Sequence, residues 1–109
     1  MQGKADFYNR VYEIIDLIPK GRITTYGAIA KALGSARSSR MVGNAIIAAH
    51  LIHPELPIHR VVNRIGLLTG KNHYTSPSMQ ELLEKEGITI KDDIVLDFHK
   101  VFWDPMKEI

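Results

Sequence analysis

Residues 25–49 read Thr25-Tyr26-Gly27-Ala28-Ile29-Ala30-Lys31-Ala32-Leu33-Gly34-Ser35-Ala36-Arg37-Ser38-Ser39-Arg40-Met41-Val42-Gly43-Asn44-Ala45-Ile46-Ile47-Ala48-Ala49, and this stretch decides the fold. Thr24 or Thr25 can supply a side-chain oxygen to the free amides of a helix N-terminus. Leu33 ends the helical run, and Gly34 suits the left-handed residue that follows a helix. Ser35-Ala36-Arg37 is a short link, and a further helix is predicted from about Ser38 to about Ala49. Two short helices joined by a tight, glycine-containing link form a helix-turn-helix pattern, in which the later helix is the recognition element.

Upstream, Asp6 can cap a helix over 6–17 that places Phe7, Val11, Ile14, Ile15 and Ile18 on one face, with Pro19 as its stop. Lys20-Gly21-Arg22 is a turn. Downstream, 60–63 and 67–69 flank Arg64-Ile65-Gly66 and predict a hairpin, the wing of a winged helix. Thr75 or Ser76, with Pro77 as first helical residue, predicts a last helix over 78–86 that Gly87 ends. Residues 94–103 are expected to add a strand and aromatic packing through Phe102 and Trp103. The fold class is therefore α+β, a small winged-helix-like single domain over 1–109. At 109 residues such a chain buries roughly 65% of its unfolded surface, enough for stability without staples.

Bulk chemistry narrows the function. The chain has no cysteine, which excludes disulfides, thiolate metal sites and thiol redox chemistry. No segment approaches the roughly 18 consecutive apolar residues of a membrane span, and no signal-peptide pattern opens the chain, so a soluble, cytoplasmic monomer is expected. Residues 1–75 carry ten Lys/Arg against four Asp/Glu, whereas 76–109 carry four against eight. A basic body beside an acidic tail suits a domain that turns one face to a polyanion. His50 and His53 form a His-x-x-His pair without an evident third ligand, so no metal and no cofactor are expected.

The pentapeptide Pro57-Ile58-His59-Arg60-Val61 resembles the Pro-Cys-His-Arg-Val active-site signature of the O6-alkylguanine-DNA alkyltransferases, with Ile58 where the reactive cysteine would stand. Ile18-Pro19-Lys20-Gly21, Thr25-Tyr26-Gly27, Arg40-Met41-Val42-Gly43 and Glu86-Gly87 follow that family's motifs in the same order. The chain is similar to the alkyltransferase-like branch of that family. A saturated hydrocarbon cannot be tuned into a nucleophile, so no catalytic residue is expected.

The resemblance implies a non-enzymatic DNA repair protein that recognises O6-alkylguanine in double-stranded DNA by minor-groove binding and base flipping. It implies a DNA-binding face of Thr25, Tyr26, Arg37, Arg40, Met41, Gly43 and Asn44. Arg40 would fill the gap left by the extruded base, and Tyr26 would crowd the target phosphate so that the nucleotide rotates outward. Met41 and Asn44 are larger than the small residues expected beside such an arginine, and Met41 could wedge between bases. A lesion pocket of Pro57, Ile58, His59, Lys71 and Tyr26 follows, with Arg60 and Glu86 as structural support. Ile58 also removes the tryptophan that alkyltransferase-like proteins often carry there, and with it an aromatic surface for the purine. Nucleotide excision repair proteins would be the downstream partners. Two other readings stay open: a winged-helix transcriptional regulator without a lesion pocket, and an enzyme that uses a His59-activated water.

Overall fold

The computed structural model describes residues 3–34 and 38–109. Helix α1, Gly3–Leu17, begins a turn earlier than Asp6 and ends before Pro19 as expected. The short strand β1, Thr24–Thr25, leads into α2, Tyr26–Ala32. Of the two candidate caps the structure uses Thr25, whose hydroxyl accepts the Ala28 amide at 3.0 Å. Gly34 follows with φ +79, the left-handed conformation expected after a helix. Helix α3 spans Ser39–Ile52, three residues further than the pattern of small and apolar residues suggested.

A single 3-10 turn, Ile58–Arg60, then feeds strand β2, Val61–Val62. Strand β2 pairs in parallel with β1, in the register Thr24 with Val61 and Thr25 with Val62. Because strand side chains alternate faces, Val61 packs into one core and Val62 into another. The first core joins Val11, Ile15 and Ile18 of α1 and its exit to Ile29 of α2, Val42, Ala45 and Ala49 of α3, and Trp103. Tyr12 fastens the same two layers by donating its hydroxyl to the Ala45 carbonyl at 2.7 Å, buried. The second core gathers Ile23, Val62 and Leu68 against Met79 and Leu83 of α4, Met79–Lys85.

Two local expectations are corrected. The hairpin over 60–69 is absent as a ladder. The Asn63 side-chain oxygen accepts the Ile65 and Leu67 amides at 3.0 and 2.9 Å, and backbone bonds from the Gly66 amide to the Asn63 carbonyl and from the Asn63 amide to the Leu67 carbonyl, at 2.9 and 3.1 Å, complete a compact turn. Gly66 sits inside it at φ +87, where an added Cβ would lie 3.2 Å from the Phe98 ring. Leu67 instead bridges to Ile94. The antiparallel hairpin of this chain is β3, Ile90–Lys91, with β4, Ile94–Val95. Its turn residues Asp92 and Asp93 both have positive φ, the primed-turn geometry that short hairpins need.

The second correction concerns the start of α4. Ser78 is the cap, not Thr75 or Ser76, and Pro77 lies outside the helix. Ser78 Oγ accepts the Glu81 amide at 3.1 Å while the Glu81 carboxylate accepts the Ser78 amide at 2.9 Å. That reciprocal box satisfies two orphan amides and outweighs proline's preference for the first helical position. The tail packs as expected: Trp103 is buried, and Phe102 stacks on Phe98. It also forms two helices that the sequence did not announce, α5 (Phe98–Val101) and α6 (Pro105–Glu108). Among the described residues no helix is long and apolar enough to cross a membrane.

Candidate nucleic-acid interface and cavity

Pro57 opens the Ile58–Arg60 turn, and the β1–β2 pairing holds that turn beside the start of α2. Its two polar side chains converge on Glu86, the residue that ends α4. His59 Nε2 lies 2.8 Å from the carboxylate, and Arg60 donates to it through Nε at 3.0 Å and Nη2 at 2.7 Å. The Gly21 amide adds a donor at 3.2 Å, and Arg60 Nη1 reaches the Ile18 carbonyl at 2.7 Å. Burial pushes the Glu86 carboxyl upward, but the Arg60 guanidinium, then His59 and the Gly21 amide, outweigh it and hold the group down at about 2. Glu86 is thus a fixed anion that locks the turn to the 18–22 segment. Arg60 thereby ties the turn both to Glu86 and to the exit of α1.

Next to this lock lies an open cavity of about 430 Å³, lined by Pro57, Ile58, His59 and Arg60 together with His50, Tyr74, Leu56 and Leu82. Its size falls within the roughly 300–1,000 Å³ typical of small-molecule sites. Ile58 is only 6% exposed, so it forms the apolar floor. Tyr74 contributes a phenol pushed upward mainly by burial and further by neighbouring Tyr26. The Tyr74 hydroxyl is buried and has no hydrogen-bond partner among the described residues.

Helix α3 presents the other half of the site. Arg40 and Asn44 are exposed, and with Ile47 and Leu51 they fall on one stripe of the helix. Met41 is half-buried, about 100° round the helix from Arg40. The small residues divide by role. Ala45 and Ala49 are fully buried and let α3 approach the first core, whereas nothing lies within 4 Å of a Cβ built on Gly43. Close packing inside the protein therefore does not account for the glycine, and its open side leaves room for something outside. Arg37 lies outside the described residues.

Residues 6–88 match the family described as 6-O-methylguanine DNA methyltransferase, DNA binding domain. The chain belongs to this family. It is 36% identical over 109 residues to the DNA base-flipping protein of Escherichia coli, covering 94% of this chain and 78% of that one. It is 35% identical over 107 residues to alkyltransferase-like protein 1 of Schizosaccharomyces pombe, covering 92% and 96%. Among solved structures, the Schizosaccharomyces pombe protein in complex with damaged DNA containing O6-carboxymethylguanine superposes with a TM-score of 0.75 at 31% identity, covering 91% of this chain and 95% of that one. The Mycobacterium tuberculosis alkyltransferase in complex with DNA superposes with a TM-score of 0.56 at 33% identity, covering 74% and 49%.

Within this methyltransferase family the present chain departs at the reacting atom. Its cavity floor is the Ile58 hydrocarbon, and no cysteine occurs anywhere in the sequence. Transfer of an alkyl group to cysteine is unavailable to it. His59 and Glu86 come together as the motifs imply, but with no thiol to deprotonate they hold the shape of the turn.

Two pocket residues expected from the resemblance stand elsewhere. Lys71 is not in the cavity wall, because its ammonium pairs with Asp93 at 2.6 Å on the exposed side of the β3–β4 turn. Tyr26 is also outside the wall, its hydroxyl 3.1 Å from Thr69 Oγ1, and it neighbours the wall residue Tyr74. Thr25 is buried and its hydroxyl accepts the Ala28 amide as the α2 cap, immediately before Tyr26. Conversely, His50, Leu56, Tyr74 and Leu82 line the cavity without having been singled out for it. Only His50 carried a signal, in its spacing to His53. The two rings diverge: His53 pairs with Glu55 and packs on Tyr12, while His50 stacks on His73.

Proposed function

We propose that this protein recognises O6-alkylguanine in duplex DNA and binds it without repairing it. Basic residues of the first two-thirds of the chain hold the phosphate backbone, and α3 enters the minor groove along its Arg40–Asn44 stripe. Arg40 then occupies the stack position vacated by the damaged base, helped by Tyr26 at the start of α2. The extruded base enters the cavity between Ile58, His59 and Tyr74. The observation that carries this reading is that cavity: open, of small-molecule size, and floored by the residue that replaces the family's nucleophile. The relatives named for base flipping and the related complex with O6-carboxymethylguanine DNA support it. The resulting distorted complex would mark the site for nucleotide excision repair proteins.

Matched duplexes with and without one O6-methylguanine test the proposal by direct titration. Tighter binding of the modified duplex, by tenfold or more, is the expected result. Equal affinity for the two would remove lesion recognition and favour a winged-helix regulator without a lesion pocket. Multiple-turnover release of labelled alkyl product would overturn the non-enzymatic reading.

A further inference from the structure

We propose that His50, backed by His73, is the aromatic wall that reads the flipped base and its adduct, a role that rests on the lesion-binding function above. Ile58 has no aromatic face. A flipped purine gains much of its hold from stacking on an aromatic face, and the residue at the cavity floor is aliphatic. Two aromatic side chains among the described residues join the turn and α4 in the wall, Tyr74 and His50, besides His59, which is committed to Glu86. Tyr74 meets His50 edge-on, with ring centroids 4.9 Å apart. The His73 ring lies nearly parallel to His50, 22° between planes and 5.0 Å between centroids. His50 is therefore gripped on two sides by rings and held as a rigid plate, which lowers the ordering cost of stacking a base on it.

The same plate supplies adduct chemistry. Burial, and then the nearby charge of His73, press the His50 pKa below its ordinary value, which favours the neutral form of that ring. The charged or titratable groups around it are His73 and Tyr74 on the 71–74 segment and Glu55, His59 and Arg60 on the 54–60 segment. Of these, His59 and Arg60 are tied to Glu86. Protonation of the His50 imidazole on acidification places a positive charge on the cavity wall. A neutral alkyl group gains nothing from that charge, whereas an adduct ending in a carboxylate does.

Binding of the whole chain to three duplexes, unmodified, O6-methylguanine and O6-carboxymethylguanine, decides the matter at pH 7.5 and pH 5.5. At pH 7.5 His50→Ala should weaken the methylated duplex about tenfold, the low-to-middle range for one base stack, while the unmodified duplex is held as before. His50→Phe should stay within about twofold of the parent, since it keeps the plate. His73→Ala, an exposed position that folding tolerates, should weaken lesion binding in the same direction by a smaller factor. From pH 7.5 to 5.5 the parent's preference for the carboxymethyl over the methyl adduct should rise several-fold, and His50→Phe should lose that rise. Unchanged lesion affinity in His50→Ala, or a pH-dependent preference that survives in His50→Phe, overturns the inference. A parent protein that fails to distinguish the methylated from the unmodified duplex would instead overturn the lesion-binding reading beneath it.

Discussion

Arg40 could serve DNA binding in two ways, as a phosphate contact that never enters the duplex or as a planar cation inserted into the base stack. Its exposed position near the start of α3 permits both. A phosphate contact weakens all duplexes alike when removed. An inserted arginine offsets an unstacking cost of a few kcal/mol that arises only when a base is extruded. Arg40→Ala should therefore lower affinity for an O6-methylguanine duplex by about tenfold or more, with the loss on undamaged duplex below about threefold. Equal losses in a paired titration would assign Arg40 to the backbone. Ile58 permits a different test, because everything around the missing sulfur is in place: the turn is locked by Glu86, and His59 stands adjacent. Ile58→Cys should take up one alkyl group per molecule from O6-methylguanine DNA, read as a single methyl increment by intact mass. No increment would show that the turn does not bring residue 58 within reach of the alkyl carbon.

At the scale of elements, α3 is the part whose sequence is hardest to explain by folding alone. Glycine in a helix interior costs about 1 kcal/mol relative to alanine, and Gly43 meets nothing that would forbid a side chain. Gly43→Leu should leave stability to urea unchanged or raised, yet cut duplex binding by tenfold or more if, as proposed, this side of α3 enters the groove. A variant that binds DNA as the parent does would place the groove contact on another face. The capping box of α4 makes the opposite kind of prediction: Ser78→Ala should cost about 1 kcal/mol of stability and leave lesion preference as it was, which urea unfolding and titration measure separately. These elements also show what was legible in the chain. Helices with a strong local stop or cap, such as the Thr25 cap and Pro19, were readable because their signal lies within a few residues. The parallel β1–β2 pair was not, since it joins strands of two residues from opposite sides of the α2–α3 unit. Asn63 misled the hairpin reading for the same reason: turn residues were present, but the side-chain and backbone bonds of Asn63 closed the turn without a ladder. The Ile58, His59 and Glu86 part of the site was legible from motif order. Tyr74, Leu56 and Leu82 were not, as only the path of the chain brings them to one cavity.

At the scale of the whole molecule, Glu86 is where the separate parts are fastened together. It joins the Gly21 turn, the 58–60 turn and the end of α4, while Arg60 carries the link onward to Ile18 at the exit of α1. Without this knot the cavity wall and the helix-turn-helix unit would be joined by the two-residue β1–β2 pairing and apolar packing alone. The knot also has a defined pH signature. The carboxyl is held at about 2 in the folded protein against an ordinary value of 4.5. Its contribution to stability is therefore fully present above about pH 4.5 and fades as pH falls toward 2. The depression corresponds to about 3 kcal/mol at neutral pH. Glu86→Gln keeps the volume but leaves the guanidinium of Arg60 without its anion, so at pH 7 it should be less stable by about 3 kcal/mol or more. Glu81 is also drawn down, by its capping bonds to Ser78, and adds its own dependence on acid. The decisive quantity is thus the difference between parent and variant in urea unfolding, followed from pH 7 to pH 2.5. That difference should be constant down to about pH 4.5 and shrink below it. A difference that stays constant across the whole range would show that Glu86 is not the group through which acid loosens this fold.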